Sequence, residues 1–415
     1  MMTQALPRID GERLWTRLME LARIGATGVP GEVNRQALSA EDAAACIRVV
    51  GWGQEAGLVP SLDRAGNLFL TLQGTEPALP PVLCGSHLDS QPTGGRFDGV
   101  LGVVAALEAA VTLAAMPRPR RSVAVVAWSN EEGSRFAPGM TGSEVFAGVR
   151  RLGDIRALRD AAGILLGDAL DAFMAEIGLQ AADPGFAPAA YLELHIEQAS
   201  VLEEEGCVIG AVTGIQGKKT WEVVLTGREA HAGTEPMARR RDALAAFTRV
   251  AAALYTEIAA AAPEAMFTIG RLEVRPNAPS VVPAEARFRI DLRHADGGTL
   301  NRLGEMVEAL VARHAGPCAH GISRLADAPP NDFDSGLRRA ILARAAARGV
   351  LAMELPSAAG HDARHLAPLA RSAMIFVPCR AGLSHHPDEW AEPEHAAAGA
   401  QVLLDLLHAL SNDGA

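Results

Sequence analysis

Pro81-Val-Leu-Cys-Gly-Ser-His-Leu-Asp-Ser90, followed by Gly94-Gly-Arg-Phe-Asp-Gly99 and an apolar run to Met116, is the stretch on which the fold turns. The run up to Ser86 reads as a short buried strand and Gly99 to Met116 as an apolar helix, so His87 and Asp98 fall on a strand-to-helix loop. In open α/β sheets, ligand sites gather beyond the carboxyl ends of the strands. A neutral imidazole and a carboxylate able to bridge are donors that suit zinc, manganese or a similar divalent ion.

Working outward, the arrangement repeats. Ser122-Val-Ala-Val-Val-Ala-Trp128 is a second buried strand, and Asn130-Glu131-Glu132-Gly133-Ser134-Arg135-Phe136 follows at its end. The strand pleat is expected to point the two glutamates in different directions, with Glu132 on metal and Glu131 as general base. Tyr191-Leu-Glu-Leu-His195-Ile-Glu-Gln198 delivers a further histidine, and the strand Ala373 to Pro378 precedes Gly382-Leu-Ser-His385-His386-Pro-Asp-Glu389. Four strand ends thus each supply a metal-type ligand. Paired divalent ions at such a place make water nucleophilic at neutral pH.

These residues resemble the di-metal amidohydrolases that include N-carbamoyl-L-amino acid hydrolases, bacterial β-ureidopropionases and allantoate amidohydrolases. The resemblance runs nearly end to end through GSHLDS (85–90), GGRFDG (94–99), EEGSRF (131–136), LHIEQ (194–198), GIQG (214–217), REAHAGTEPMARRRDAL (228–244), VRPNAPSVVP (274–283), AGHDA (359–363) and LSHHPDE (383–389). It implies two divalent ions per subunit (Zn, or Mn, Co or Ni), one held by His87, Asp98 and His195, the other by Asp98, Glu132 and His385, with Asp98 bridging. Alignment from Ser384 favours His385 over His386. Asp89 joins the catalytic set by accepting a hydrogen bond from the His87 ring. The substrate set is Gln198, Asn277, Arg293 and Gly360, with His231 contributed by the neighbouring subunit to stabilise an oxyanion. An N-carbamoyl amino acid carries an α-carboxylate, which a guanidinium such as that of Arg293 clasps in a bidentate way. Arg293 is expected to follow the strand 286–292. At Gly360, a missing side chain is expected to permit close backbone approach. The activity implied is hydrolysis of the carbamoyl group of an N-carbamoyl-L-amino acid, with allantoate amidohydrolase or β-ureidopropionase as the alternative and a non-catalytic small-molecule binding protein on the same fold as a distant one.

The fold class expected is α/β: a di-metal aminopeptidase-like catalytic domain in two parts, residues 1–212 and 329–415, with an inserted two-layer α+β lid and dimerisation domain at 213–328. Its expected elements are strands at 219–226, 267–274, 285–292 and 319–325 and helices at 238–261 and 298–314. Glycine-rich Val212 to Gly217 is the candidate hinge for closure on substrate. With 415 residues and 49% hydrophobic content the chain can bury large cores, and a formal charge of −11 argues against nucleic acid as a partner. Gly99 to Met116 is short for a membrane span. Residues 1–10 lack the apolar core of a secretory signal, and five cysteines without a close-spaced pair make no disulfide framework, so a cytoplasmic protein is the expectation; the resemblance implies a homodimer acting on a small carboxylate-bearing ureido compound.

Overall fold

The computed structural model describes residues 7–183 and 186–412; the opening residues 1–6, read above for a leader, lie outside the described residues. The chain divides into two compact units, one formed by Met1–Thr213 and Asp332–Ala415, the other by Gly214–Asn331.

In the first unit, four apolar runs become neighbouring strands. Val82–His87 pairs in parallel with Val123–Trp128 on one side and with Ala190–Ile196 on the other, and Arg371–Val377 pairs in parallel with Ala190–Ile196. Leu68–Leu72 and Val59–Leu62 extend the sheet antiparallel at one edge. Every residue of Val82–His87, Val123–Trp128 and Ala190–Ile196 is buried, which is why these strands read as continuous apolar runs instead of alternating ones. Alternate residues nevertheless serve different surroundings. Val123, Val125, Leu192 and Leu194 join the core that includes the helices Val100–Ala114 and Pro393–Asn412. Trp128 and Tyr191 form an aromatic group with Phe69 and Phe146.

The parallel direction brings the carboxyl ends of the four strands to one edge of the sheet, so the loops after His87, Trp128, Ile196 and Val377 share it. Helix Val100–Ala114 starts directly after the Asp98-Gly99 turn and is buried along nearly its whole length. Its single charge, Glu108, is fully buried and meets Arg13 Nη2 at 2.6 Å and Arg17 Nη1 at 3.5 Å, which ties the first helix, Gly11–Leu21, to the core. The chain leaves this sheet through Ile209–Ile215 and returns through Asn331–Asp332, and those two strands are hydrogen-bonded neighbours.

The second unit is a four-stranded antiparallel sheet in the order Ala319–Ala328, Gly217–Thr226, Glu285–His294, Met266–Arg275. Burial alternates along Gly217–Thr226, and Trp221, Val223 and Leu225 pack with Val250, Leu254, Val307 and Leu310 of the helices Ala243–Ala261 and Gly297–His314. Helix Ala243–Ala261 begins later than expected because Asp242 caps it, accepting from the Ala245 amide, while Met237–Arg239 is a separate 3-10 turn. It is the one helix among the described residues long and apolar enough to cross a membrane; its buried positions 243, 246, 250, 254 and 258 mark the stripe of a core helix. The glycine-rich stretch 212–217 is β structure on both sides of Gln216, with the division between units after Thr213. A Cβ at Gly217 would stand 2.5 Å from Leu300 Cδ2, so packing alone accounts for glycine there.

Candidate metal centre

Asp98 is the hub of the site. Its Oδ1 lies 3.2 Å from His195 Nε2 and 3.5 Å from His87 Nε2, and its Oδ2 lies 3.1 Å from His385 Nε2. Two groups of potential ligands therefore share one carboxylate: His87, Asp98 and His195, and Asp98, Glu132 and His385, each with its ligand atoms within 4.8 Å of one another. His386 is exposed, and its Nδ1 accepts instead from the Asp388 amide at 3.1 Å.

The rings are set for coordination. His87 Nδ1 lies 3.0 Å from the Asp89 carbonyl and His195 Nδ1 2.9 Å from the Ile196 carbonyl. A carbonyl can only accept, so each Nδ1 carries a proton, and in the neutral ring each Nε2 is left as the atom that a metal ion can take. Gly99 must be glycine: its φ is +68° and a Cβ would stand 2.4 Å from the His87 ring. The Asp89 carboxylate acts differently from the expectation. It lies 3.5 Å from His87 Nδ1, and its two oxygens accept from the backbone amides of Glu131 (3.2 Å) and Glu132 (3.1 Å). The glutamate pair lies beyond the strand, which ends at Trp128, so no pleat separates the two side chains. The amide clamp of Asp89 and the left-handed backbones of Asn130 (φ 53°) and Gly133 (φ 61°) shape that turn.

Glu131 Oε2 stands 3.6 Å from His87 Nε2, and Glu132 Oε2 accepts from Gln91 Nε2 at 2.8 Å and lies 3.4 Å from His385 Nε2. The other Glu132 oxygen, Oε1, is buried with no hydrogen-bond partner. Burial pushes the Glu131 carboxyl well up and takes that of Glu132 up to about 7, with Asp98 adding to the latter; Asp98 itself is held well below the usual range by His195, His385 and His87 against the opposing effect of burial. A crowd of buried carboxylates around inward-facing imidazole lone pairs, one oxygen unpartnered, is a donor set that fits two divalent cations.

Several contributors escape sequence reasoning. Glu389 is buried and accepts from the amides of Phe97 (2.7 Å) and Asp98 (3.1 Å) and from Ser384 Oγ (3.0 Å), so it pins the Asp98 turn from 292 residues away. Glu193 accepts from Ser86 Oγ (2.8 Å), Tyr191 Oη (3.0 Å) and the Ala363 amide (3.1 Å). His361 packs its ring 4.6 Å from that of His195, and Asp362 accepts from Ser143 Oγ. The only signal for these was the presence of polar residues inside apolar runs and motifs.

Among the substrate candidates, Gln198 Nε2 donates to Asp98 Oδ2 at 2.7 Å from a left-handed backbone (φ 59°), placing it beside the centre. Gly360 is exposed, and a Cβ there would make only ordinary contact with Met140 (3.5 Å), so nothing in the packing demands glycine. The second unit carries the other three. His231 is exposed on the two-stranded ribbon with Val281–Val282, and Asn277 is exposed with φ 59°. Arg293 lies within the strand Glu285–His294, not after it, because pairing with Lys218 and Met266 continues the ladder past 292. Its Nε donates to Asp291 Oδ1 at 2.8 Å.

The family model described as peptidase family M20/M25/M40 matches residues 83–409. An N-carbamoyl-L-amino-acid amidohydrolase of Rhizobium meliloti is 40% identical over 404 residues, covering 96% of this chain and 95% of that protein. An allantoate amidohydrolase of Escherichia coli is 34% identical over 86% of this chain and 87% of its own length. Among solved structures, an amidase of the hydantoinase/carbamoylase family from Burkholderia multivorans superposes with a TM-score of 0.89 at 39% identity, covering 98% of this chain and 99% of that one.

Proposed function

Because the chain belongs to the peptidase M20/M25/M40 family, and within it to the amidohydrolase branch, we propose that it hydrolyses the carbamoyl group of N-carbamoyl-L-amino acids to amino acid, ammonia and carbon dioxide. The observation that carries this reading is the division of Asp98, one oxygen toward His87 and His195 and the other toward His385, with Glu131 beside the pair.

His87, Asp98 and His195 hold one cation in this proposal and Asp98, Glu132 and His385 the other. Bound there, zinc, manganese, cobalt or nickel supplies Lewis acidity: a more acidic water and a polarised carbonyl. Glu131 takes the proton of the attacking water and returns it to the leaving nitrogen. Asp89 fixes Glu131 and Glu132 through their amides, so base and ligand keep one geometry. The His231 imidazole donates to the developing oxyanion. Arg293 receives the substrate's carboxylate, with Asn277, Gln198 and the Gly360 backbone orienting the ureido group. In this reading the protein is a cytoplasmic homodimer, its five free cysteines suited to a reducing compartment and its His231 serving the site of the neighbouring subunit.

The test is ammonia release by metal-reconstituted protein offered allantoate, N-carbamoyl-β-alanine and matched N-carbamoyl-L- and D-amino acids. Preference for the L-carbamoyl series is expected. Dominant turnover of allantoate, the substrate named for relatives at 34% and 33% identity, replaces the substrate but keeps the chemistry. Silence on every compound with both ions bound overturns the assignment.

A further inference from the structure

Lys218 and Arg293 are directly opposite each other in the antiparallel ladder between Gly217–Thr226 and Glu285–His294. Like charges in that relation repel, and a sheet keeps them there at a cost unless anions intervene. Asp291 intervenes: Lys218 Nζ is 3.1 Å from its Oδ2 and Arg293 Nε is 2.8 Å from its Oδ1, with the three side chains 38%, 31% and 31% exposed. These residues occupy the sheet face opposite the buried one, as the alternation along both strands shows. The next residue, Lys219, belongs to the buried set and pairs with Asp327 at 2.5 Å, so the consecutive lysines are separated by the pleat. Burial alone would raise the Asp291 carboxyl, yet Arg293 and Lys218 together hold it below its ordinary range, so the carboxylate stays ionised between them.

We propose that Lys218 is a second cation for the substrate's carboxylate, acting beside Arg293, with Asp291 holding the ammonium and guanidinium at a fixed spacing. This rests on the reading that Arg293 receives that carboxylate. The physical logic is charge balance at one locus: a carboxylate arriving there meets two cations already spaced by one resident carboxylate. A guanidinium gives direction and an ammonium gives an adaptable point charge, so the pair tolerates variation in how the amino-acid portion lies.

The experiment measures KM and kcat for ammonia release by the metal-loaded enzyme on an N-carbamoyl-L-amino acid and on its carboxamide analogue. Lys218→Met is expected to raise KM for the acid roughly two- to fivefold, the scale of a partly exposed ion pair, with the loss in KM and not in kcat. Lys218→Arg is expected to recover most of that loss, and the carboxamide is expected to show no difference between the variants. A KM for the acid that Lys218→Met leaves unmoved, or one raised equally for acid and carboxamide, overturns the inference. Arg293→Met separates the two levels. If it raises KM for the acid while Lys218→Met does not, only the role of Lys218 fails; if neither does, the carboxylate reading itself fails.

Discussion

Glu131 and Glu132 share a turn and a clamp, and differ in what each faces. Glu132 has one oxygen on Gln91 and one buried without a partner, whereas Glu131 looks toward the His87 ring. Glu131→Gln keeps the amide that Asp89 holds and removes only the proton acceptor. It is expected to leave metal content near normal and lower turnover by about 100-fold or more, which metal analysis alongside ammonia release checks; preserved turnover removes Glu131 as the base. The adjacent histidines make a second comparison. His385→Ala is expected to cost about one of two bound ions per chain and His386→Ala none, read by metal analysis after dialysis. In sequence the choice rested on alignment from Ser384, which favours His385; in the structure His385 Nε2 lies 3.1 Å from Asp98 Oδ2, whereas His386 Nδ1 accepts from the Asp388 amide.

At the scale of elements, the four strands and their ends were legible because an apolar run buried on both faces needs no alternation to be recognised, and a ligand following each run is a local signal. Glu389, Glu193 and Asp362 were not, since their partners are amides and hydroxyls contributed by distant segments. The reason given for the glutamate pair also failed: residues past the strand end obey turn geometry and a clamp from Asp89, not the pleat. Glu108 shows the same blindness to partners. The single charge of an apolar helix, it is the anchor for Arg13, Arg17 and the Asp10 amide. Glu108→Ala leaves those donors unpaired and is expected to destabilise the protein by about 2–4 kcal/mol, less than a wholly buried pair because Arg13 is partly exposed, as urea unfolding will show.

For the molecule as a whole, the carboxylates of the centre make stability depend jointly on pH and metal. Burial raises Glu132 and Glu389 to about 7, above their unfolded values near 4. Such groups contribute stability that is complete below the unfolded pKa and lost as pH rises through the folded one, so the metal-free protein is expected to weaken between about pH 4 and 7. Divalent ions favour the ionised carboxylates, and the rise in Tm on adding metal is expected to be larger at pH 7.5 than at pH 5.5. Equal gains in paired thermal melts would contradict this. The second unit, with a core of its own around Trp221 and Phe288, is expected to fold when residues 214–331 are produced alone, giving a cooperative circular-dichroism melt.

The strands through which the chain departs for Gly214–Asn331 and comes back are hydrogen-bonded neighbours. A segment whose two ends lie side by side is, at the level of the gene, a cassette: one continuous block of codons whose replacement asks nothing of the surrounding sheet beyond two adjoining splice points. The metal-type ligands and Glu131 are encoded outside that block, and His231 with the cations assigned to the substrate inside it. Recombination at those points offers descendants of this sequence a route to new substrates that keeps the metal-type ligands and Glu131, provided the incoming block brings its own counterpart of His231.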